Sequence, residues 1–346
     1  MRHSSRQVMR AVRLLGMAAA AALVFTSCSA QPETGTPGGD SEVKSVTLRA
    51  VTAWDSSNAG HYEPFMKFVE ALEADEDSGI SIEVVGGPET MAPTELAENL
   101  ANGTIDIALN TASYYSNTLP ESLVISLTNL SPEVWREKGL YDEVNEWHVD
   151  KLNQRLLGRL AWGQRYALYL KEPVRSVADF EGLRVRGVAV YYGLLNQLGA
   201  EMVDMPPGDI YNAIERGTVD GTAWPEPGVM DLSLQEVVGA VMLPNFYSNG
   251  LGLYINEDAW KKLAPSQQEA IQRAVEVAEK FGPEFAEELR TKERKVLDES
   301  GVEIVELAGA EADAYLDKAL RGAVDVLVNM GVDQARAKQL IDQFND

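Results

Sequence analysis

Patterns typical of strands and helices alternate twice along this chain, and this alternation constrains the fold more than any other feature. A β-α-β-α-β order predicts a parallel sheet with helices on its faces. The first unit spans residues 46–53, 62–72, 80–85, 94–101 and 105–109. The second unit spans residues 166–170, 183–188, 191–198, 201–203, 210–215 and 219–223. Two such units predict an α/β protein with two lobes.

The C-terminal part predicts helices. The sequence SQQE at 266–269 has the pattern of a capping box that opens a long helix running toward Lys295, and Pro283 within it predicts a kink. At ~1.5 Å per residue such a helix is long enough to lie across both lobes. Residues 310–330 and 333–344 predict two further helices, the second capped by Asp333.

The N-terminus has the pattern of an export signal. A basic leader without acids precedes the apolar residues 14–25, a run too short to cross a bilayer. The only cysteine of the chain, Cys28, follows small residues and resembles the acylation site of bacterial lipoproteins, although Phe25 departs from the usual aliphatic residue. We therefore predict a lipoprotein signal peptide at 1–27, a lipidated Cys28 with a flexible linker over 28–44, and an extracytoplasmic protein anchored to the cell membrane. A plain export signal with a free thiol is the alternative.

The net charge limits the choice of partners. The chain carries a formal charge of −23, so its surface repels phosphate backbones and anionic headgroups. We expect no nucleic-acid partner, and contact with the membrane only through the lipid anchor. An anionic ligand would have to be held by local arginines.

Motifs for catalysis and metal binding are scarce. The three histidines, His3, His61 and His148, have no companions at ligand spacing, and the serine-hydrolase, phosphate-loop and zinc-protease motifs are absent. A lone histidine is more often structural than functional. We therefore predict no enzyme activity, no cofactor and no metal.

Three arginines are candidates for anion binding. Arg184 and Arg186 lie on the same side of a predicted strand that ends at Gly187, and Arg165 opens the strand before it. An arginine at a strand end offers a planar fork that holds a carboxylate through two charge-assisted hydrogen bonds. Arg186 is the first candidate, because Arg184 lies deeper in the strand. An interlobe salt bridge is the alternative for Arg186, and a surface ion pair for Arg165.

Further candidates lie in loops and turns that follow the predicted strands, where open α/β sheets bind ligands. From the first unit these are Trp54, Glu89, Asn110, Thr111 and Tyr114. In the second unit Tyr191 and Tyr192 follow Arg186 by one helical turn, and one of them is predicted to face the cleft. Packing is the alternative role for each.

Four segments resemble one family. Residues 176–187 (SVADFEGLRVRG) and 210–221 (IYNAIERGTVDG) look like the two signatures of the dicarboxylate-type solute receptors of tripartite ATP-independent periplasmic (TRAP) transporters. Residues 86–93 and 100–107 are similar to the first lobe of the same family. The resemblance covers nearly all of the chain after the predicted leader.

The resemblance implies an α/β, two-lobed, periplasmic-binding-protein-like fold of the class II type. Each lobe would be a mixed sheet flanked by helices, with a long helix spanning both. The implied boundaries are 45–165 plus about 250–285 for lobe I, and 166–249 plus about 286–346 for lobe II. The implied partners are a small carboxylate ligand and the small and large TRAP membrane subunits. A monomer is expected, with a dimer left open.

The resemblance also implies roles for single residues. Arg186 would bind the ligand carboxylate, and Arg165 matches a second arginine that assists in some members. Trp224 falls where members place a ligand-contacting side chain, and together with the tyrosines it would form an apolar wall suited to a monocarboxylate with a hydrophobic body. Some keto-acid receptors hold a cation here, but Ala223 stands where an acid often sits, so no cation is predicted. The alternatives are a receptor that feeds a sensor kinase and, from another class, a secreted enzyme acting on an acidic or acyl substrate.

Overall fold

The structure is a computed structural model, and it describes residues 44–345. The predicted signal peptide at 1–27, the lipidation at Cys28 and nearly all of the predicted linker lie outside the described residues. Within residues 44–345, no helix combines the length and the apolar character needed to cross a membrane.

Eleven strands belong to the described part of the chain. They are β1 (Val46–Thr52), β2 (Ile80–Gly86), β3 (Ile107–Thr111), β4 (Gln154–Arg159), β5 (Arg165–Leu170), β6 (Arg184–Gly187), β7 (Glu201–Asp204), β8 (Gly221–Glu226), β9 (Ala240–Ser248), β10 (Leu251–Asn256) and β11 (Glu303–Glu306).

Ten α-helices accompany the strands in residues 44–345. They are α1 (Ala59–Glu73), α2 (Leu96–Ala101), α3 (Pro132–Glu137), α4 (Leu140–Leu152), α5 (Ala189–Gln197), α6 (Ile210–Glu215), α7 (Glu257–Lys262), α8 (Pro265–Glu299), α9 (Ala310–Asn329) and α10 (Gln334–Gln343).

The strands form two mixed sheets, one in each lobe. The first has the order β2-β1-β3-β10-β4, in which β1 runs parallel to β2 and β3 while β10 runs antiparallel to β3 and β4. The second has the order β11-β9-β5-β8-β6-β7, in which β6 runs parallel to β7 and β8 while β5 runs antiparallel to β8 and β9. The two-lobed α/β fold with mixed sheets is therefore confirmed.

The local strand-helix alternation predicted a parallel sheet, and antiparallel strands occupy part of each sheet. The parallel pairs lie where a helix connects two strands, as between β1 and β2. β10 instead inserts antiparallel between β3 and β4 after the chain leaves β9 in the other sheet. Pairing between strands so distant in sequence leaves no local pattern, so strand spacing does not reveal it.

The predicted long helix is α8, but its start differs from the prediction. Pro265 occupies the first turn, and the Gln267 side chain accepts a hydrogen bond from the Ala264 backbone N–H at 3.1 Å, in place of a box between Ser266 and Glu269. The helix continues through Pro283, which has no N–H to donate. The Glu279 carbonyl, four residues earlier, accepts instead from Trp162 Nε1 at 3.1 Å.

The last two helices pack against helices that lie far from them in the sequence. α9 crosses α5 where Gly193 faces Gly322, and a Cβ on Gly193 would lie 1.8 Å from the Gly322 carbonyl oxygen. α10 begins at its predicted cap, because Asp333 Oδ1 accepts from the N–H groups of residues 335 and 336 at 2.9 and 3.1 Å. Arg336 on α10 pairs with Glu143 on α4 at 3.1 Å, so α10 packs against a helix of the first lobe.

The lobe boundaries remain a proposal. We propose lobe I at 45–165 plus about 250–285 and lobe II at 166–249 plus about 286–346, with one change. The contact between α10 and α4 favours grouping residues 334–343 with lobe I.

Candidate functional site

Side chains from both sheets line a small cavity, which we call the inner cavity. Its volume is about 30 Å³, close to the share of one water molecule. A larger space of about 680 Å³, the outer cleft, adjoins it and shares four lining residues with it. The lining of the inner cavity includes Trp54, His61, Thr111, Ser113, Tyr114, Tyr166, Arg186, Val188, Tyr191, Trp224 and Asn249. The lining of the outer cleft includes Ser113, Tyr114, Arg186, Val188, Tyr192, Met202, Asp204, Met205, Val326 and Met330.

Six of the nine predicted ligand-binding residues meet at the inner cavity. Trp54 follows β1, Thr111 ends β3 and Tyr114 lies in the short 3-10 helix after it. From the other lobe come the remaining three, Arg186, Tyr191 and Trp224. Tyr191 lines the inner cavity and Tyr192 the outer cleft. The ends of β1, β3 and β6 therefore converge, as expected where ligands of open α/β sheets bind.

Three predicted residues lie outside the lining of both spaces. Arg165 is exposed at the start of β5, and Glu89 is exposed with its carboxylate accepting a hydrogen bond from the Gly87 N–H at 2.8 Å. Asn110 is buried in β3, and its side-chain oxygen accepts from the Thr111 N–H at 2.9 Å. The local bonds of Glu89 and Asn110 explain where their side chains point.

Arg186 is the central charged group of the site. It lies in β6 and is only 1% exposed, yet it lines both the inner cavity and the outer cleft. Its Nε and Nη2 donate to the Met205 carbonyl at 3.0 and 2.9 Å, and its Cζ lies 5.5 Å from the centre of the Trp224 ring. Among residues 44–345, no carboxylate forms an ion pair with it. Burying a cation without a counter-charge is unfavourable, so an anion beside Arg186 would stabilise the site.

The electrostatics of the site agree with this reading. Burial lowers the pKa of Arg186, while Tyr191, Tyr114 and Asp204 partly oppose that effect. Burial also raises the pKa of Tyr114, and the nearby Arg186 charge acts against the shift. Both tyrosines stay neutral, so the guanidinium carries the positive charge of the cavity wall.

Arg184, the competing arginine, is neutralised within the chain. It donates to both carboxylate oxygens of Asp220, at 3.2 and 2.9 Å, and to the Gly217 carbonyl at 3.0 Å. The hydrogen bond and charge of Asp220 raise the pKa of Arg184. Two residues apart on one strand, one arginine is satisfied by the protein and the other faces a cavity.

Trp224 is fixed by contacts that reach back to α8. Its Nε1 donates to the Gly228 carbonyl at 3.0 Å, and the Gly228 N–H donates to the Glu293 carboxylate at 2.8 and 2.9 Å. Gly228 has φ +151°, and a Cβ there would lie 2.8 Å from Trp224 Nε1, so this position favours glycine. The long helix thereby holds one wall of the inner cavity.

Four polar residues of the cavity wall were not among the predicted ligand-binding residues, and one of them, His61, was considered only as a lone histidine of structural type. These are His61, Ser113, Tyr166 and Asn249. His61 stacks on Trp54 with ring centres 4.9 Å apart and meets the Trp224 ring at 6.2 Å. The one available signal was its place in the first turn of α1, just after the β1 loop, because no motif surrounds it.

Acidic clusters give no indication of a cation. Within residues 44–345, no three His, Cys, Asp or Glu side chains lie close enough together to hold a metal ion. Ala223, which stands where some members of the family carry an acid, is fully buried in β8.

Comparisons with known proteins identify the family. The sequence profile of DctP, described as bacterial extracellular solute-binding protein, family 7, matches residues 51–322. A solute-binding protein of Roseobacter denitrificans is 24% identical over 278 residues, covering 78% of this chain and 84% of that protein. A monocarboxylate 2-oxoacid-binding periplasmic protein of Nostoc sp. is 21% identical over 264 residues, covering 74% of this chain and 71% of that protein.

Solved structures show the same fold. A TRAP periplasmic solute-binding protein of Roseobacter denitrificans, crystallised with L-galactonate, superposes with a TM-score of 0.72 at 20% identity. The match covers 88% of this chain and all of that one. With more than half of its length matched by the family profile, the chain belongs to the DctP family of bacterial extracellular solute-binding proteins.

Proposed function

We propose that this receptor binds a small organic acid between its lobes and delivers it to the membrane subunits of a TRAP transporter. The observation that carries the proposal is Arg186, a buried guanidinium without an ion pair in the described part of the chain that lines both spaces of the cleft. A carboxylate would complete its charge balance through two charge-assisted hydrogen bonds. Delivery without chemistry fits a family of solute-binding receptors.

The two spaces of the cleft differ in volume, which favours a ligand with a small end and a larger body. The inner cavity admits only a small group, whereas the outer cleft is more than twenty times larger. Three methionines, Met202, Met205 and Met330, contribute to the outer cleft, and methionine adapts to ligands of irregular shape. The carboxylate would lie at Arg186, on the border between the two spaces, and the body of the ligand would extend outward.

The relatives support the same class of ligand. One is named for monocarboxylate 2-oxoacids and another was crystallised with L-galactonate, both of them carboxylates. We further propose that the protein is anchored outside the cytoplasm through Cys28 and acts as a monomer. Mass spectrometry of the protein from its native membrane would detect the acyl chains, and light scattering would measure the mass in solution.

The ligand class is tested by comparing acids with their neutral analogues. Thermal-shift and calorimetric measurements would use a panel of aliphatic, aromatic and sugar acids, each paired with its primary amide. We expect binding by some acids and none by the amides, because only the carboxylate balances Arg186. Equal binding of an acid and its amide contradicts the proposal. Recovery of the acid unchanged after incubation, followed by NMR, separates a receptor from the alternative of a secreted enzyme.

A further inference from the structure

Two buried polar atoms on the wall of the inner cavity have no hydrogen-bond partner in residues 44–345. They are His61 Nδ1 and Ser113 Oγ, both from the first lobe. Leaving a buried donor or acceptor unpaired costs ~1–3 kcal/mol, so such atoms are rare in native structures. Both lie on the wall of one cavity that is also lined by Arg186, which has no ion pair in residues 44–345, and this indicates that a ligand supplies their partner.

The hydrogen-bond network behind His61 fixes which of its nitrogens carries the proton. The chain of bonds starts at the Gly60 carbonyl, which can only accept, and it accepts from Gln164 Nε2 at 2.6 Å. The other end of that amide, Gln164 Oε1, therefore accepts from Asn249 Nδ2 at 2.8 Å. The Tyr166 hydroxyl donates to Asn249 Oδ1 at 3.0 Å, which supports the same amide orientation.

His61 Nε2 must then be an acceptor. It lies 3.1 Å from Asn249 Nδ2, which the network has already assigned as a donor, so the single proton of the neutral ring is on Nδ1. The ring is 2% exposed, and burial lowers its pKa to about 4. At neutral pH, His61 is thus an uncharged donor whose N–H has no partner in the described chain.

His61 is a neutral donor and Arg186 a cationic one, so each is suited to a different kind of ligand oxygen. Arg186 supplies the positive charge for the carboxylate, while protonating His61 would break its bond with Asn249. The centre of the His61 ring and Arg186 Cζ lie 6.2 and 5.5 Å from the centre of the Trp224 ring, and both residues line the inner cavity. The inner cavity has room for little beyond a single oxygen-bearing group.

We propose that His61 determines specificity by donating its Nδ1–H to an uncharged oxygen on the carbon next to the ligand carboxylate. This proposal rests on the proposed function, because it assumes the carboxylate at Arg186. The ligand class is then the 2-oxo and 2-hydroxy acids. A carbonyl oxygen would accept from both His61 and Ser113, whereas a hydroxyl would accept from His61 and donate to Ser113 Oγ.

The test compares acids that differ only at the second carbon. Calorimetry would measure the Kd of matched sets of the 2-oxo, 2-hydroxy and unsubstituted acid, built on short aliphatic, aromatic and sugar-acid skeletons. We expect the wild-type protein to prefer one of the oxygenated acids by about tenfold, the value of one good hydrogen bond. Comparing the 2-oxo and 2-hydroxy acids of a set shows whether the site prefers a carbonyl or a hydroxyl oxygen.

Two variants of His61 separate its two nitrogens. His61→Gln keeps an acceptor for Asn249 but loses the donor at Nδ1, so we expect it to bind the oxygenated and unsubstituted acids of a set with the same Kd. His61→Asn places an amide N–H near Nδ1 and should keep part of the preference. His148→Gln is the matched control: His148 is equally buried, but both of its nitrogens have partners, Val144 O at 2.8 Å and the Tyr115 hydroxyl at 3.0 Å.

Each remaining outcome decides the question. Equal wild-type binding of oxygenated and unsubstituted acids overturns the His61 proposal and leaves the proposed function standing. The same follows if His61→Gln keeps the full preference, or weakens all three acids equally, since His61 would then contact the carboxylate or act only structurally. Failure of every acid in the panel to bind overturns the proposed function itself.

Discussion

Within residues 44–345, two arginines are almost completely buried, and they differ in what surrounds them. Arg159 in β4 lies 4.4 Å above the Trp135 ring and donates from Nη1 to the Leu130 carbonyl at 2.8 Å. Arg186 in β6 lies 5.5 Å from the Trp224 ring and donates to the Met205 carbonyl. Burial lowers the pKa of both. Either residue, seen by itself, is a buried guanidinium on a tryptophan.

The difference lies in the source of the negative charge. Near Arg159, the Glu279 carboxylate accepts from the Arg159 backbone N–H at 2.7 Å, from the Tyr141 hydroxyl at 2.6 Å and from Arg136. Its charge opposes part of the lowering that burial imposes on the pKa of Arg159. Arg186 has no carboxylate held in this way, and it borders a space that a ligand can enter. Burial alone therefore does not mark a functional arginine. A missing counter-charge beside a cavity does.

The largest expected effect is the loss of binding in Arg186→Ala. Removing one partner of a buried charge pair costs ~2–5 kcal/mol, which corresponds to a Kd raised roughly 30-fold to several thousand-fold. Calorimetry with an acid that binds the wild type measures the effect, and chemical denaturation should show unfolding free energy changed by less than about 1 kcal/mol. An unchanged Kd would mean that Arg186, like Arg159, has a structural role and does not bind the ligand.

Arg159→Ala should lower stability and leave ligand binding nearly unchanged. The truncated side chain leaves a cavity over Trp135 and an unpaired Leu130 carbonyl, so we expect the free energy of unfolding to fall by about 2–4 kcal/mol. The Kd for the acid should stay within about threefold of wild type, as the residue does not line the cleft. If Arg159→Ala lost binding and kept its stability, Arg159 would be a ligand-binding residue and not a structural one.

Buried carboxylates extend the comparison. Glu279 pairs with Arg136, whereas Glu293 accepts only from backbone N–H groups among the described residues. Burial, with the charges of Asp231 and Glu226, raises the pKa of Glu293 to about 7, against the hydrogen bonds from Gly228 and Met230.

The sign of the pH effect follows from that shift. Between pH 4.5 and 7 the folded state holds a proton on Glu293 that the unfolded state has released, so this residue's contribution to stability is lost as the pH rises. Glu293→Gln should therefore gain stability relative to wild type between pH 5 and 8, on the order of 2–3 kcal/mol. Denaturation curves of both proteins across this range measure the difference, and a constant difference would mean that Glu293 titrates normally.

The smallest effect is expected for Arg165→Ala. Arg165 is exposed at the start of β5 and lies outside the lining of both spaces, so we expect a Kd within about threefold of wild type and a stability change within ~0.5 kcal/mol. Calorimetry under the conditions used for Arg186→Ala checks it. A loss approaching that of Arg186→Ala would mean that Arg165 moves into the cleft when the ligand binds.

Much of the fold was predictable because its signals are local. Strands β1 to β3 and β6 to β8, with the helices between them, were predicted from the spacing of apolar residues. Asp333 was recognised as a helix cap from its position alone. Strands β4, β9, β10 and β11 were not predicted. Their pairing joins residues far apart in the chain, so no local pattern reveals it.

The sequence by itself determined the α/β class, the two lobes, the family and Arg186 as the principal anion-binding candidate, because periodicity, capping and ordered motifs are properties of neighbouring residues. Only the tertiary structure decided that Arg184 is satisfied by Asp220, that Arg165, Glu89 and Asn110 lie outside the cleft, and that His61 enters it. The proton position on His61 depends on Gln164 and Asn249. Counter-charges and hydrogen-bond partners are supplied by residues distant in sequence, so only folding brings them together.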